Sequence, residues 1–397
     1  MQALAAHEKR SPKGGRRWPW VVGAVVVVLL AAGGGIGYAL SHDPGKSGKG
    51  TLAVSCTNAA TCPSAPTTVP HLPLRLATST PATGATGVPS NTTLQLQFDQ
   101  PVATAGPTPS ITPPVSGTWQ RSSRTLAFSP LAPFVPFQKY TVTAPGGSGG
   151  LHGADGRALA ASTTVTFTAA AGNVLRLQQL LAMLNYLPVA YTEPTGVAPQ
   201  DMALPQAGTL QWRWAGVPTQ LMDVWAQGQP GVVTKAAVMN FEVQNGLTVD
   251  GVAGPQVWST LMGDVATNKA NAEPYTYVLV SKTMPQEHLT AWVNGSLQFQ
   301  HILVNTGVNG AATTDGTFPV FEHVKASTMI GTNVTGSHYD DPTVPWASYF
   351  NGGDALHGFP RAKYGFPQSN GCVEMNIATA GNLWPDTPIG TLVTVIG

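Results

Sequence analysis

An uncharged run near the N-terminus decides where the rest of the chain folds. The run from Trp18 to Leu40 (WPWVVGAVVVVLLAAGGGIGYAL) holds no charged residue. At about 1.5 Å per helical residue it can cross a hydrocarbon core of about 30 Å. Lysines and arginines between residues 9 and 17 precede it, which is typical of the cytoplasmic side of a membrane helix. We therefore predict a cytoplasmic basic tail (1–17), a single-pass membrane anchor (18–40) and a remainder outside the cytoplasm.

A cleaved signal peptide is the alternative interpretation, with the small residues at 39–41 as its cleavage site. The run exceeds the usual apolar core of such a peptide, about 7–15 residues, which favours a retained anchor. Both interpretations place the later segments on an oxidising side, so Cys56 and Cys62 are expected to form a local disulfide. Lipid attachment at Cys56 is a weaker alternative, because the apolar run ends too far upstream. A zinc site at the two cysteines is also weaker, because no histidine lies nearby.

Charged residues are scarce in the whole chain. They make up 10% of 397 residues, beside 44 Gly and 34 Pro, against about 25% charged residues in an average soluble protein. Long solvated helices need lysine, glutamate and arginine, so this composition favours strands, turns and linkers. The formal net charge of +1 gives no electrostatic reason to expect a nucleic-acid partner.

The first exported segments are a linker and a strand-rich domain. Residues 41–72 are small, polar and proline-rich without periodicity, as in a flexible linker. In residues 92–102 (TTLQLQFDQPV) apolar and polar residues alternate, which predicts a half-buried strand. Similar runs recur to residue 169 at the spacing of a β-sandwich. Residues 73–169 resemble the bacterial Ig-like domains of exported proteins, which implies a spacer or scaffold.

Residues 173–263 change to a helical pattern. One apolar stripe (Val174, Leu177, Leu181, Leu184) predicts a helix that ends before Pro188. This segment and "AAVMNFEVQNGLTVDGVAGPQVWSTL" resemble the small three-helix peptidoglycan-binding module. The sequence departs from that module at Asn185, at Glu242 and by an insertion at 191–230. The resemblance implies wall binding, whereas a helical packing domain without a ligand is the alternative.

The last segment, residues 274–397, returns to strand patterns and predicts a mostly β domain. Asn294-Gly295 lies between two apolar runs and predicts a hairpin. Within "SNGCVEM", Cys372 is a lone thiol in an exported protein, and such a thiol is inert in a core or a nucleophile. His357 precedes it by 15 residues and can supply the base that a thiol of pKa about 8.5 needs. Gly371 lets the backbone turn so that N–H groups can face an oxyanion.

The whole of 274–397 resembles the YkuD-type L,D-transpeptidase catalytic domain. The motif that carries the likeness is a histidine followed by Ser/Thr-x-Gly-Cys, here His357 and Ser369-Asn370-Gly371-Cys372. "TTDGTFPV" and "VPWASYFNGGDALHG" resemble further segments of the family. The resemblance implies Cys372 as nucleophile, His357 as general base and acid, and the N–H groups of Gly371 and Cys372 as the oxyanion hole.

Five further residues are predicted to bind or position substrate: Ser369, Asn370, Gly358, Glu374 and Tyr339. Gly358 stands where some family members have serine, so we expect a backbone carbonyl to orient the imidazole. Asn370 replaces a common histidine and cannot carry a proton, so it positions substrate or supports structure. Glu374 stands where arginine or asparagine is frequent; it contacts an amine, or it is a locally paired carboxylate.

The sequence therefore predicts a multidomain, mainly β protein with an N-terminal transmembrane helix, at the outer face of the cell membrane. The resemblance implies peptidoglycan biosynthesis and hence cell-wall organisation and cell shape. A thioester on a donor tetrapeptide stem would pass to an acceptor stem as a 3→3 cross-link. It also implies acylation by carbapenem-type inhibitors and no metal or organic cofactor. Transfer to water by an L,D-carboxypeptidase, and a non-catalytic wall-binding scaffold, are the alternatives.

Overall fold

The computed structural model describes residues 7–8, 72–195 and 201–397. The predicted anchor, the linker as far as residue 71, and Cys56 and Cys62 lie outside these residues. Within the described ranges, no helix combines the length and apolarity needed to cross a bilayer. The anchor and the disulfide therefore stay predictions.

The strand-rich segment that follows the linker is a two-sheet sandwich, as the alternation predicts. Leu94, Leu96 and Phe98 are buried, and the glutamines between them are exposed. The strands are β2 (Leu76–Thr80), β3 (Ala85–Val88), β4 (Leu94–Phe98), β5 (Ser110–Thr112), β6 (Gly117–Ser122), β7 (Thr125–Pro130), β8 (Lys139–Ala144) and β9 (Thr163–Ala169). One sheet has the order β2-β4-β7-β6 and the other β3-β9-β8-β5. One apolar core lies between them.

The helical segment is more elaborate than the predicted three-helix domain, and that prediction is wrong in detail. Its described residues form four helices, one of them a single turn, and a two-stranded sheet. The insertion at 191–230 causes the difference, because it supplies one strand and the short helix. The elements are α1 (Val174–Met183), β10 (Val189–Thr192), β11 (Thr209–Trp212), α2 (Thr219–Asp223), α3 (Val232–Gln244) and α4 (Pro255–Ala266).

Helix α1 is buried on its polar side as well as along its apolar stripe. Gln178 and Gln179 are 0% and 2% exposed. Nε2 of Gln178 donates to the carbonyls of Ala226 and Gln229, and Nε2 of Gln179 donates to that of Gln206. Buried amides need such partners, and the insertion provides them. The insertion therefore covers the face of α1 that would otherwise meet solvent.

The C-terminal segment is a mostly β domain of two sheets, as predicted. Its elements are β12 (Thr276–Ser281), β13 (His288–Val293), β14 (Ser296–Leu303), β15 (Gly316–Pro319), β16 (Glu322–Thr332), β17 (His338–Asn351), β18 (Asp354–Gly358), β19 (Val373–Met375), α5 (Ile377–Leu383), a 3-10 turn (Trp384–Asp386) and β20 (Leu392–Ile396). One sheet has the order β14-β13-β12-β20-β15, and the other runs β16-β17-β18-β19. A two-residue strand β1 (His7–Glu8) pairs in parallel with β16.

Three of the strand pairs in this domain bear on the predicted turn and on the position of the site. The β13–β14 hairpin turns at Asn294-Gly295, as predicted, and both residues have positive φ. The β16–β17 hairpin is the longest and turns between residues 333 and 337. Strands β18 and β19 run parallel, with Leu356 opposite Val373. Leu356, Val373 and Met375 are buried in the core between the sheets.

Candidate active site

The β18–β19 pair brings the two predicted catalytic residues to one face of the sheet. His357 lies opposite Glu374 in the register, and Cys372 is two residues before Glu374. Side chains alternate along a strand, so these three share the face opposite the core-facing Leu356, Val373 and Met375. All three line one cavity of about 300 Å³.

The surroundings of His357 determine which of its ring nitrogens carries the proton. The ring is 2% exposed, and its Nδ1 lies 3.1 Å from the carbonyl oxygen of Gly358. A carbonyl only accepts, so Nδ1 donates and Nε2 keeps its lone pair. Burial, the largest cause, lowers the pKa of His357, although the bond to Gly358 opposes the shift. The imidazole is therefore neutral at neutral pH and able to act as a base.

Gly358 therefore contributes to the site by orienting the imidazole of His357. Its carbonyl is the orienting partner that the sequence led us to expect. Its position is buried, and a side chain there would meet Ile377 Cα at 2.9 Å. The residue is not among those that line the cavity. The predicted contact of Gly358 with substrate stays a prediction.

A small hydrogen-bonded loop holds the cysteine. The Ser369 hydroxyl donates to the Cys372 carbonyl at 2.6 Å and accepts from the Gly371 N–H at 3.1 Å. Thr313 Oγ1 donates to the Gly371 carbonyl at 2.8 Å, and the Cys372 thiol donates to the Gly353 carbonyl at 3.5 Å. The Gly371 N–H is thus engaged within the loop, and its oxyanion role stays a prediction. Ser369 lines the cavity, but its hydroxyl is used to shape the loop.

Gly371 has a conformation that only glycine adopts easily. Its φ is +118°, and an added Cβ would lie 2.4 Å from Asp354 Oδ1. Gly371→Ala is expected to displace the loop, and misplacement of a reacting atom by about 1 Å costs about 10²-fold in rate. We expect the acylation rate of Cys372 to fall by about that factor. Gly84→Ala is the control, since Gly84 also has positive φ (+81°) but open space around it. Unchanged acylation in Gly371→Ala would contradict the assignment.

Glu374 is held by an arginine that sequence reasoning missed. Arg361 Nε and Nη2 donate to its two carboxylate oxygens, each at 2.7 Å. The Glu374 side chain is 5% exposed and that of Arg361 29%. The hydrogen bond to Glu374 raises the pKa of Arg361. Of the two interpretations offered for Glu374, the locally paired carboxylate is the one observed. The sequence signal for such a partner was the place of Glu374 on a buried strand, because a buried carboxylate needs a cation.

The β16–β17 hairpin closes one side of the cavity. Asn370 Nδ2 donates to Asn333 Oδ1 at the hairpin turn, at 2.6 Å. Tyr339 on β17 also lines the cavity, and burial and then the Cys372 charge raise the pKa of its hydroxyl. Asn370 thus has a structural tie to the hairpin. Direct contact of Asn370 or Tyr339 with substrate stays a prediction.

Comparison with known families identifies three parts of the chain. Residues 275–395 match the family model described as the YkuD L,D-transpeptidase catalytic domain. The C-terminal domain belongs to the YkuD family. Residues 71–169 match a bacterial Ig-like domain, and residues 221–261 match a putative peptidoglycan-binding domain. The last match excludes α1, so it covers only the second half of the predicted helical module.

Several solved structures that are similar to this chain are described as L,D-transpeptidases. One from Mycobacterium smegmatis is 13% identical, over 82% of this chain and 100% of that one, with a TM-score of 0.28. L,D-transpeptidase 3 from Mycobacterium tuberculosis is 11% identical over 81% and 98%, with a TM-score of 0.28. The E. faecium catalytic domain is 22% identical over 32% and 100%, with a TM-score of 0.28. No curated protein matches the chain. The assignment of the YkuD domain rests on the family match and not on these scores.

Proposed function

We propose that the YkuD domain transfers the acyl group of a peptidoglycan stem peptide through a thioester on Cys372 and forms 3→3 cross-links. The observation that carries the proposal is the placement of Cys372 and His357 in one cavity, with Nδ1 of His357 committed to Gly358. Nε2 is then the ring nitrogen that can accept the proton of the Cys372 thiol. The peptidoglycan-binding match at residues 221–261 supports the same class of substrate.

Burial of His357 favours one order of proton transfer. A buried imidazole with a lowered pKa disfavours a preformed imidazolium–thiolate pair. Nε2 therefore takes the thiol proton as Sγ attacks the carbonyl carbon between the third and fourth residues of the donor stem. When the C–N bond breaks, His357 returns that proton to the departing D-alanine amine. The product is a thioester between Cys372 and the third residue.

The second half of the reaction repeats these roles. A side-chain amine of the acceptor stem attacks the thioester carbon, and His357 takes the proton that the amine loses. The C–S bond then breaks, the thiolate recovers the proton, and a new amide joins the two third residues. The Cys372 N–H is proposed as an oxyanion donor. The Gly371 N–H would join it only by leaving Ser369 Oγ.

Carbapenem sensitivity and location belong to the same proposal. Similar L,D-transpeptidases are described in complex with imipenem and acylated by ertapenem. A β-lactam carbonyl offers Cys372 the same kind of electrophile as a stem amide, so we propose acylation here as well. The predicted anchor would hold the enzyme at the membrane with its catalytic domain facing the wall.

Product analysis separates the proposal from its alternatives. The purified chain is incubated with a tetrapeptide stem that carries a free side-chain amine. A cross-linked dimer together with free D-alanine is the expected result. Free tripeptide and D-alanine without dimer would indicate an L,D-carboxypeptidase. Unchanged tetrapeptide from folded protein would leave a wall-binding scaffold and contradict the proposal.

A further inference from the structure

Asp341 gives the catalytic cavity its net charge. The charged side chains that line the cavity are Asp341, Arg361 and Glu374. Arg361 and Glu374 neutralise each other through their two hydrogen bonds of 2.7 Å. His357 is neutral for the reason given above. One negative charge remains, and it belongs to Asp341.

The Asp341 carboxylate is poised to meet a ligand. It lies on β17, opposite Met329 of β16, and is half-buried. Within the ranges 7–8, 72–195 and 201–397 its side chain makes no hydrogen bond or ion pair. The acid acts on the site at longer range, since its charge is one of the smaller causes that raise the pKa values of Tyr339 and Arg361. A half-buried carboxylate in the same cavity as the proposed nucleophile can bind a cation.

We propose that Asp341 recognises the primary ammonium group of the acceptor stem peptide. This inference rests on the proposed function for the identity of the peptide. An alkyl amine with a pKa of about 10.4 is protonated at neutral pH, so the acceptor arrives as a cation and releases one proton to solvent before its nitrogen attacks the thioester. Glu374 is already neutralised by Arg361, and the recognition role that the sequence offered it passes to Asp341. Met329, which is opposite Asp341 in the register, and Tyr339 line the same cavity, and an ion pair with a half-buried carboxylate is stronger than one in open water.

Two peptides and one matched control test the inference. The full chain carrying Cys372→Ala, which forms no thioester, is titrated with a stem tetrapeptide and with the same peptide acetylated on its side-chain amine. Acetylation removes the cation and is expected to weaken binding about tenfold. Adding Asp341→Asn is expected to abolish this preference. Adding Asp340→Asn is expected to preserve it, because Asp340 is the exposed neighbour on the same strand and does not line the cavity.

The remaining outcomes are equally decisive. Asp341→Glu keeps the charge and is expected to retain the preference, which separates recognition from a folding defect. A tenfold preference that survives in Asp341→Asn overturns the inference. Equal binding of the two peptides by the Cys372→Ala parent, or no binding of either, also overturns it. A different result would contradict the proposed function itself, namely the absence of any covalent adduct on the wild-type chain.

Discussion

Replacement of His357 by glutamine is expected to slow acylation of Cys372 by about 10²–10⁴-fold, the usual contribution of a positioned general base. Glutamine keeps much of the side-chain shape and can still hydrogen-bond, but it cannot take a proton from the thiol. The measurement is the rate of adduct formation with a carbapenem, followed by intact mass. His338→Gln is the matched control, since His338 is exposed on β17 and does not line the cavity.

The pH dependence of the acylation rate of Cys372 tests the same role of His357 as a base. Burial lowers the pKa of His357, so the ring stays neutral until the pH falls below its ordinary value of about 6.5. The wild-type acylation rate is expected to fall on the acid side of that value, as the ring takes up a proton and ceases to be a base. His357→Gln is expected to lack this acid limb. An acid limb that persists in the variant would assign the titration to another group.

Replacement of Arg361 by methionine is expected to destabilise the β18–β19 region by about 3–5 kcal/mol, the cost of leaving a buried charge unpaired. The Glu374 side chain is 5% exposed and would lose both hydrogen bonds from the guanidinium. The readout is hydrogen exchange of peptides that cover residues 354–375, which gives the free energy of local opening. Because Cys372 lies in this segment, acylation is expected to slow as well.

A double-mutant cycle separates the ion pair from the bulk of the arginine. Glu374→Gln alone leaves the more exposed Arg361 without its partner and is expected to cost less. In the double variant, removal of the buried charge is expected to recover part of the loss caused by Arg361→Met. Arg157→Met in the Ig-like domain is the control, because Arg157 pairs with Asp155 near the surface and such pairs contribute about 0–1 kcal/mol. Additive effects at Arg361 and Glu374 would show that the pair does not stabilise the site.

Much of the fold and the centre of the site could be predicted, because they depend on local pattern. The alternation at Leu94, Leu96 and Phe98 needs only period-2 side-chain geometry, and the β13 turn needs only Asn294-Gly295. The spacing of His357 and Cys372 placed both in one domain and one motif. The buried polar face of α1 could not be predicted, since its partners come from an insertion without periodicity.

The supporting contacts of the site depend on distances that a sequence does not carry. Arg361 and Glu374 are 13 residues apart in the sequence, and the parallel pairing of β18 with β19 brings their side chains into contact. Ser369 lines the cavity, as a residue that contacts substrate would, and the hydrogen bond from its hydroxyl to the Cys372 carbonyl depends on the tight turn at Gly371. Nothing in the sequence singles out Asp341, because its place in the cavity depends on the pairing of β16 with β17. Its importance follows only once Arg361 is seen to neutralise Glu374.

The most direct test of the central claim is intact-mass analysis of the folded chain after exposure to a carbapenem. The wild-type protein is expected to gain the mass of one inhibitor, and peptide mapping is expected to place it on Cys372. Cys372→Ala is expected to gain nothing. An adduct of equal yield on Cys372→Ala, or no adduct on folded wild-type protein, would contradict the assignment of Cys372 as the nucleophile.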